Sequence, residues 1–154
     1  MFKLSHLAVL LTIAVTVYSQ VDINPYRDCG YHDVTNVEIV GCPRAAQRCT
    51  LDRGGEKILN ITYDSEYSVE KAQITLIAHV GKEEIDLSHE IPGFQRDGCK
   101  ATTCPIKYGE EAVFSDTLKI GDRYPSGDFE LQVLLIGDNN VIFCNVILCH
   151  MNDG

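Results

Sequence analysis

The chain has little of what catalysis, metal binding or nucleic-acid recognition would require. Lysine and arginine total 13 against 22 acidic residues, for a formal charge of −9. They form no cluster, so phosphate backbones and anionic membrane surfaces are repelled and nucleic acid is excluded as an expected partner. No C-x2-C pair occurs, and the histidines after residue 19 (His32, His79, His89 and His150) show no metal-ligand spacing. There is no G-x-S-x-G elbow, no H-E-x-x-H helix and no phosphate-cradling glycine loop. The acidic pairs Glu83-Glu84 and Glu110-Glu111 read as exposed charge, and His79 as a solvated residue on the polar face of its segment. The expectation is a protein that is not an enzyme and uses neither metal nor cofactor. Helical periodicity of any length is also missing, and beyond residue 19 no apolar run approaches the ~20 residues of a spanning helix.

The first residues set the expected compartment. Lys3 supplies a positive start, Leu7 to Val17 runs without a charge, and Val17 and Ser19 occupy the minus-three and minus-one places of a signal-peptidase site. Residues 1–19 therefore read as a signal peptide with Gln20 as the mature start. Residues 20–154 read as one secreted, extracellular domain, with an endolysosomal location as the variant of the same route. A chain of that length buries about two-thirds of its unfolded surface, enough for one core.

All seven cysteines, at 29, 42, 49, 99, 104, 144 and 149, lie in that domain. In a secreted chain they read as a disulfide framework with one thiol left over, and spacing alone leaves the connectivity open. Two short loops suggest themselves, Cys42 to Cys49 and Cys99 to Cys104. Cys149 stands five places from Cys144, an offset that reverses the face of a strand. A buried inert thiol, an intermolecular bridge and a reactive surface thiol are all open readings of it.

What the sequence does contain is alternation with a period of two. In 71–80, Ala72, Ile74, Leu76, Ala78 and Val80 share one face, and Lys71, Gln73, Thr75 and His79 the other. In 128–136, Phe129, Leu131, Val133 and Leu135 oppose Asp128, Glu130 and Gln132. Val37 with Ile39, Leu59-Ile61-Tyr63, Ile85 with Leu87, and 112–120 add strands. The segment 141–149 is apolar on both faces, which leaves its inward side undecided. Turn chemistry separates these runs at Arg53-Gly54-Gly55, Asp97-Gly98, Ser126-Gly127 and Gly137-Asp138-Asn139-Asn140. About seven strands in two sheets, an all-β sandwich, is the predicted fold. Asn60-Ile61-Thr62 is a glycosylation sequon, and alternation turns Asn60 outward if Leu59, Ile61 and Tyr63 point inward.

One combination of motifs is more specific. Asp28-Cys29-Gly30, Cys42-Pro43 with Cys49, Asp97-Gly98-Cys99-Lys100 followed by Cys104-Pro105-Ile106, then Tyr124-Pro125-Ser126 and Phe143-Cys144, occur in this order. The set resembles the Niemann-Pick type C2 family of ML (lipid-recognition) domains over essentially all of residues 20–154. The resemblance implies an immunoglobulin-like sandwich whose sheets splay apart around a lipid. It implies the pairs Cys29–Cys144, Cys42–Cys49 and Cys99–Cys104, leaves Cys149 free, and puts a glycan site where Asn60 stands. Tyr124 and Pro125 match the family's Y-P at the tunnel mouth, Ile120 an apolar cavity position, and Leu87 and Ile85 apolar residues before D-G-C-K. Alternation adds Leu76, Phe114, Phe129, Leu131 and Val133 as residues that line either a lipid cavity or an ordinary core. The Tyr124 hydroxyl is the first candidate to meet a ligand head group.

Departures from the family pattern bear on the ligand. Members that pass cholesterol to a membrane partner have a proline-rich apolar segment before D-G-C-K. Here residues 82–90 are longer and acidic, and the chain has no tryptophan. It looks more like arthropod members, some of which carry fatty acids, sterols or semiochemicals. The leading expectation is a monomeric carrier of a small lipid (fatty acid, sterol or lysolipid), with hand-off to a membrane receptor as a further partner interaction. The alternative is an innate-immune module that binds microbial lipid such as lipopolysaccharide, which a basic rim would favour and this acidic chain lacks. A closed, dry adhesive domain is the third reading.

Overall fold

The structure is a computed structural model that describes residues 24–91 and 93–153. The expected signal peptide and its cleavage site lie outside the described residues. In chain order the strands are β1 (Tyr26–Asp28), β2 (Val34–Ile39), β3 (Cys49–Leu51), β4 (Glu56–Asp64), β5 (Gln73–Val80), β6 (Glu83–Asp86), β7 (Glu111–Lys119), β8 (Gly127–Gly137) and β9 (Asn140–Met151). One helical turn, α1 (Leu87–Glu90), follows β6. The strands form a six-stranded sheet, β1-β9-β8-β5-β6 with β3 added in parallel to β9, and a three-stranded sheet, β2-β4-β7. The all-β sandwich is thus present, with nine strands among the described residues where about seven were expected. The surplus includes β1 and β3, each three residues long and too short to show alternation.

The longest pairing is the β8–β9 hairpin, which runs from Gly127↔Met151 to Gly137↔Asn140 with one register shift between Leu135 and Ile136. Its turn places Asp138 at φ 51° and Asn139 at φ 64°. Both are left-handed, a conformation that Asp and Asn tolerate because their short side chains bond locally, and it matches the twist of a tight hairpin. The ladder resolves the ambiguous face of β9 over its second half, where Asn145, Ile147, Cys149 and Met151 are buried on alternate positions; nearer the turn, Ile142, Phe143 and Cys144 are all buried. In β4, Leu59, Ile61 and Tyr63 are fully buried, while Asn60 takes the other face and accepts a hydrogen bond from Ser115 Oγ at 2.7 Å.

Aromatic contacts join the two sheets at one end. The Phe143 ring lies 4.9 Å from Tyr63 and meets Phe114 edge-on at 5.6 Å. Such pairs add about 0.5–1.5 kcal/mol each beyond the area they bury. The buried Tyr63 hydroxyl donates to Thr102 Oγ1 at 2.9 Å, which in turn donates to the Val113 carbonyl at 2.9 Å. Gly98 of the D-G-C-K motif sits where a side chain would not fit. A Cβ there would stand 2.6 Å from Leu135 Cδ1, and the Gly98 amide donates to the Ala72 carbonyl at 2.8 Å.

Two of the three expected disulfides are formed, Cys29–Cys144 and Cys99–Cys104. The first spans 115 positions and, on the chain-entropy account, constrains the unfolded chain by about 5 kcal/mol. The third expectation is corrected: Cys42 and Cys49 are unbonded, buried thiols. Cys149, directly across from Cys49 in the parallel β3–β9 register, is a second near neighbour of Cys49. Spacing along the chain could not reveal that competing thiol. Burial pushes the Cys149 thiol up to about 12, so among the open readings of this residue the inert, buried one fits its surroundings.

Candidate functional site

The site grows from the end of the sandwich opposite the Phe143 aromatic cluster. There α1 replaces what alternation read as more strand: Ile85 is in β6, but Leu87 begins the helical turn. The Asp86 carboxylate caps it, accepting from the Ser88 amide at 2.9 Å. Hydrogen bonding to Ser88 holds the Asp86 carboxyl below its ordinary value. The buried Ser88 hydroxyl then accepts from the Leu76 amide of β5 at 2.9 Å. β6 stops pairing at Ile77↔Asp86, so Ser88 supplies the next acceptor after the ladder ends. This seats Leu87 over the interior.

Across the opening, the 120–126 loop presents Tyr124 and Pro125. Arg53 fixes its backbone, donating from Nε to the Tyr124 carbonyl at 2.7 Å and from Nη1 to the Asp153 carbonyl at 3.1 Å. The Tyr124 ring lies over Gly121, so close that a Cβ there would stand 3.1 Å from Cε2. Burial, then the nearby Glu90 charge, raises the Tyr124 hydroxyl above its ordinary value. The group stays protonated and can donate a hydrogen bond at any physiological pH.

Three spaces meet at Tyr124. An open mouth of about 510 Å³ carries Glu90, Lys119, Asp122 and Arg123 around Ile91 and Ile120. Inside it, between the sheets, lies a chamber of about 40 Å³ walled by Leu51, Leu76, Leu118, Ile120 and Leu131. A second chamber of about 150 Å³ lies beside Ala78, Val80, Ile85, Pro125 and Phe129. The walls of both chambers are mainly aliphatic and aromatic, with Lys119 at the first and Glu83 and Asp128 at the second. Such a crevice excludes water and selects by shape and apolar area. A larger recess of about 660 Å³ lies elsewhere, on the outer face of the six-stranded sheet, and is lined by Arg48, His79, Asp128, Glu130 and Gln132. It is polar and shallow, crossed by the Arg48–Asp128 ion pair at 3.0 Å and by His79–Gln132 at 2.9 Å. Among the described residues no group of three or more His, Cys, Asp or Glu is placed to hold a metal.

Of the residues expected to meet a ligand, the structure brings Leu76, Ile85, Leu87, Ile120, Tyr124, Pro125, Phe129 and Leu131 around these spaces. Phe114 and Val133 are not brought there. Both are buried at the packed end, Phe114 against Phe143 and Val133 at a wholly buried position of β8. Sequence reasoning missed Leu51, Ile91, Leu118, Lys119 and Met151. Met151 lies just past the segment read as a strand, and Leu51 is in a three-residue strand. Ala78 and Val80, also unnamed as ligand contacts, had a signal in the alternation of 71–80, as did Leu118 inside 112–120.

Fold and site together define a two-sheet β-sandwich that encloses an apolar crevice behind a polar mouth, the class of a small-ligand binding domain. The ML-domain family pattern matches residues 23–149. The chain belongs to the ML-domain family. Mite group 2 allergen Lep d 2 of Lepidoglyphus destructor is 30% identical over 122 residues, covering 79% of this chain and 82% of the allergen. The NPC intracellular cholesterol transporter 2 of Canis lupus familiaris is 28% identical over 142 residues, covering 88% of this chain and 93% of the transporter. Among solved structures, a Niemann-Pick type C2 protein from Japanese carpenter ant superposes with a TM-score of 0.73 at 16% identity, covering 82% of this chain and 98% of the ant protein.

Proposed function

We propose that this protein is a secreted carrier that takes up a small apolar lipid (a fatty acid, a sterol or a semiochemical) between its two sheets. The observation that carries the reading is the mainly apolar lining of the two chambers that meet at Tyr124, in which Lys119, Glu83 and Asp128 are the charged members. A polymethylene tail gains roughly 0.8 kcal/mol per CH₂ on leaving water. A chain of about 16 carbons therefore supplies on the order of 12 kcal/mol gross, before several kcal/mol of association and ordering cost. Micromolar binding needs no charged anchor on that scale. The Tyr124 hydroxyl, kept protonated, serves as donor to a carboxylate or sterol hydroxyl. The cholesterol-transporter relative supports a lipid cargo, and the apolar interior supports carriage without chemistry. Asn60, outward on β4, is the glycan site of the secreted form, and the carrier acts as a monomer that hands its cargo to a membrane receptor.

The alternative, capture of microbial lipid such as lipopolysaccharide, would want a basic rim. Lys119 and Arg123 share the mouth with Glu90 and Asp122, which leaves little net positive field. The deciding experiment is mass spectrometry of small molecules extracted from natively purified, secreted protein. A stoichiometric fatty acid, sterol or lysolipid is the expected result. Protein that is empty, and that also takes up no fatty-acid or sterol probe at micromolar concentration, would overturn the carrier reading.

A further inference from the structure

The two inner chambers are too small, taken singly, for the cargo proposed. An apolar cavity of about 150 Å³ holds a body the size of benzene. The chamber beside Ile85 and Pro125 has about that volume, and its neighbour, at about 40 Å³, has far less. A tail longer than about six to eight carbons therefore needs both chambers, and they are separated. Four side chains wall both: Leu87, Tyr124, Phe129 and Met151. Leu87 is fixed by the Ser88 bond to β5, and Tyr124 by Arg53 and Gly121. Phe129 and Met151 differ. Their backbones are pinned in the β8–β9 ladder, as Phe129↔Cys149 and Gly127↔Met151, while their side chains project inward as diagonal neighbours. Methionine is unbranched and changes rotamer easily. Its cross-strand partner Gly127 has no side chain, and no atom lies within 4 Å of where one would begin, so the Met151 thioether has space to swing into. Phe129 is only half-buried and borders the outer recess as well.

We propose that Phe129 and Met151 form a movable partition between the two chambers and so set the length of apolar tail that the crevice accepts. The proposal rests on the lipid-carrier reading above and adds the residues that choose among cargoes. Short tails fill the chamber beside Ile85 and Pro125 with the partition in place. Longer ones gain the chamber beside Leu51 and Leu118 only by turning both side chains aside, which offsets part of what each further methylene contributes.

The test is calorimetric titration with saturated fatty acids of about six to sixteen carbons, each kept below its micelle concentration. For the wild type, affinity is expected to rise about fourfold per methylene to roughly eight carbons and then flatten. In Phe129→Ala and Met151→Ala the rise should continue to about twelve carbons, leaving each variant at least tenfold tighter than wild type at that length. Phe129→Leu and Met151→Val trim the same side chains more gently and serve if an alanine variant does not fold. Xenon binding in crystals gives a readout free of lipid: two separate sites in the wild type, one continuous site in the variants. If fatty acids bind and the break stays at the same length in every variant, or if the wild type shows no break, the partition alone is overturned. If neither a fatty acid of any length nor a sterol probe binds while xenon fills both chambers, the carrier reading falls and length selection falls with it.

Discussion

Replacing Ser88 by alanine removes one oxygen from the interior and leaves the Leu76 amide without an acceptor. Ser88 is 6% exposed, and its hydroxyl takes the Leu76 amide at 2.9 Å just past the last β5–β6 pair, Ile77↔Asp86. No other strand residue stands beyond Asp86 to take over, because the chain has already turned into α1. An unpaired buried amide costs about 1–3 kcal/mol, and the volume lost is too small to add much of a cavity cost. For a domain of this size each kcal/mol moves the melting temperature by about 3–5 °C, so a loss of about 2 kcal/mol appears as about 6–10 °C. Thermal unfolding followed by circular dichroism measures the global effect. Hydrogen exchange at the Leu76 amide measures the local one, which should pass from protected to fast. Because Ser88 also seats Leu87 over both chambers, ligand affinity should fall with stability. A melting temperature within about 1 °C of wild type, with the Leu76 amide still protected, would refute the role given to this bond.

Other outcomes follow from the same geometry. Gly121→Ala places a methyl 3.1 Å from the Tyr124 ring and should turn it off the mouth, weakening fatty-acid binding severalfold while the melting temperature moves by less than about 3 °C; unchanged binding would show that the ring position does not matter. The Asp86 carboxyl is held low in the folded state, so its contribution is present above the ordinary carboxylate range and is lost as pH falls through the folded value, below about pH 4. Asp86→Asn keeps an acceptor for the Ser88 amide but does not titrate there, so its urea midpoint should fall less than that of wild type between pH 6 and pH 3. Equal slopes would contradict the assignment. Asp116, whose carboxyl burial pushes up, has the opposite sign and is common to both proteins, so it cancels in the difference.

Much of this protein is local in origin and therefore legible along the chain. Alternation in 71–80 and 128–136 became β5 and β8, with Ile74, Leu76, Leu131 and Val133 inward as read. Asp138 and Asn139 made the left-handed turn their side chains favour. The outward face of Asn60 followed from its buried neighbours. These features depend on a residue and those within a few places of it, since a strand repeats every two residues whatever it packs against. The ML-domain motifs, read in order, pointed to the family.

What tertiary structure decided was depth. Alternation says that Leu131 and Val133 both face inward, yet Leu131 borders a void and Val133 lies in solid core. The difference is set by where the two sheets diverge, a distance between segments far apart in sequence. Phe114 fell on the packed side for the same reason, held by Phe143. The thiol opposite Cys49, the acceptor that Ser88 gives to Leu76, and the meeting of Phe129 with Met151 are pairings of distant segments, made only when the sheets assemble. By itself the sequence determined which faces are apolar; the spacing of the folded sheets determined which of those faces enclose a cavity.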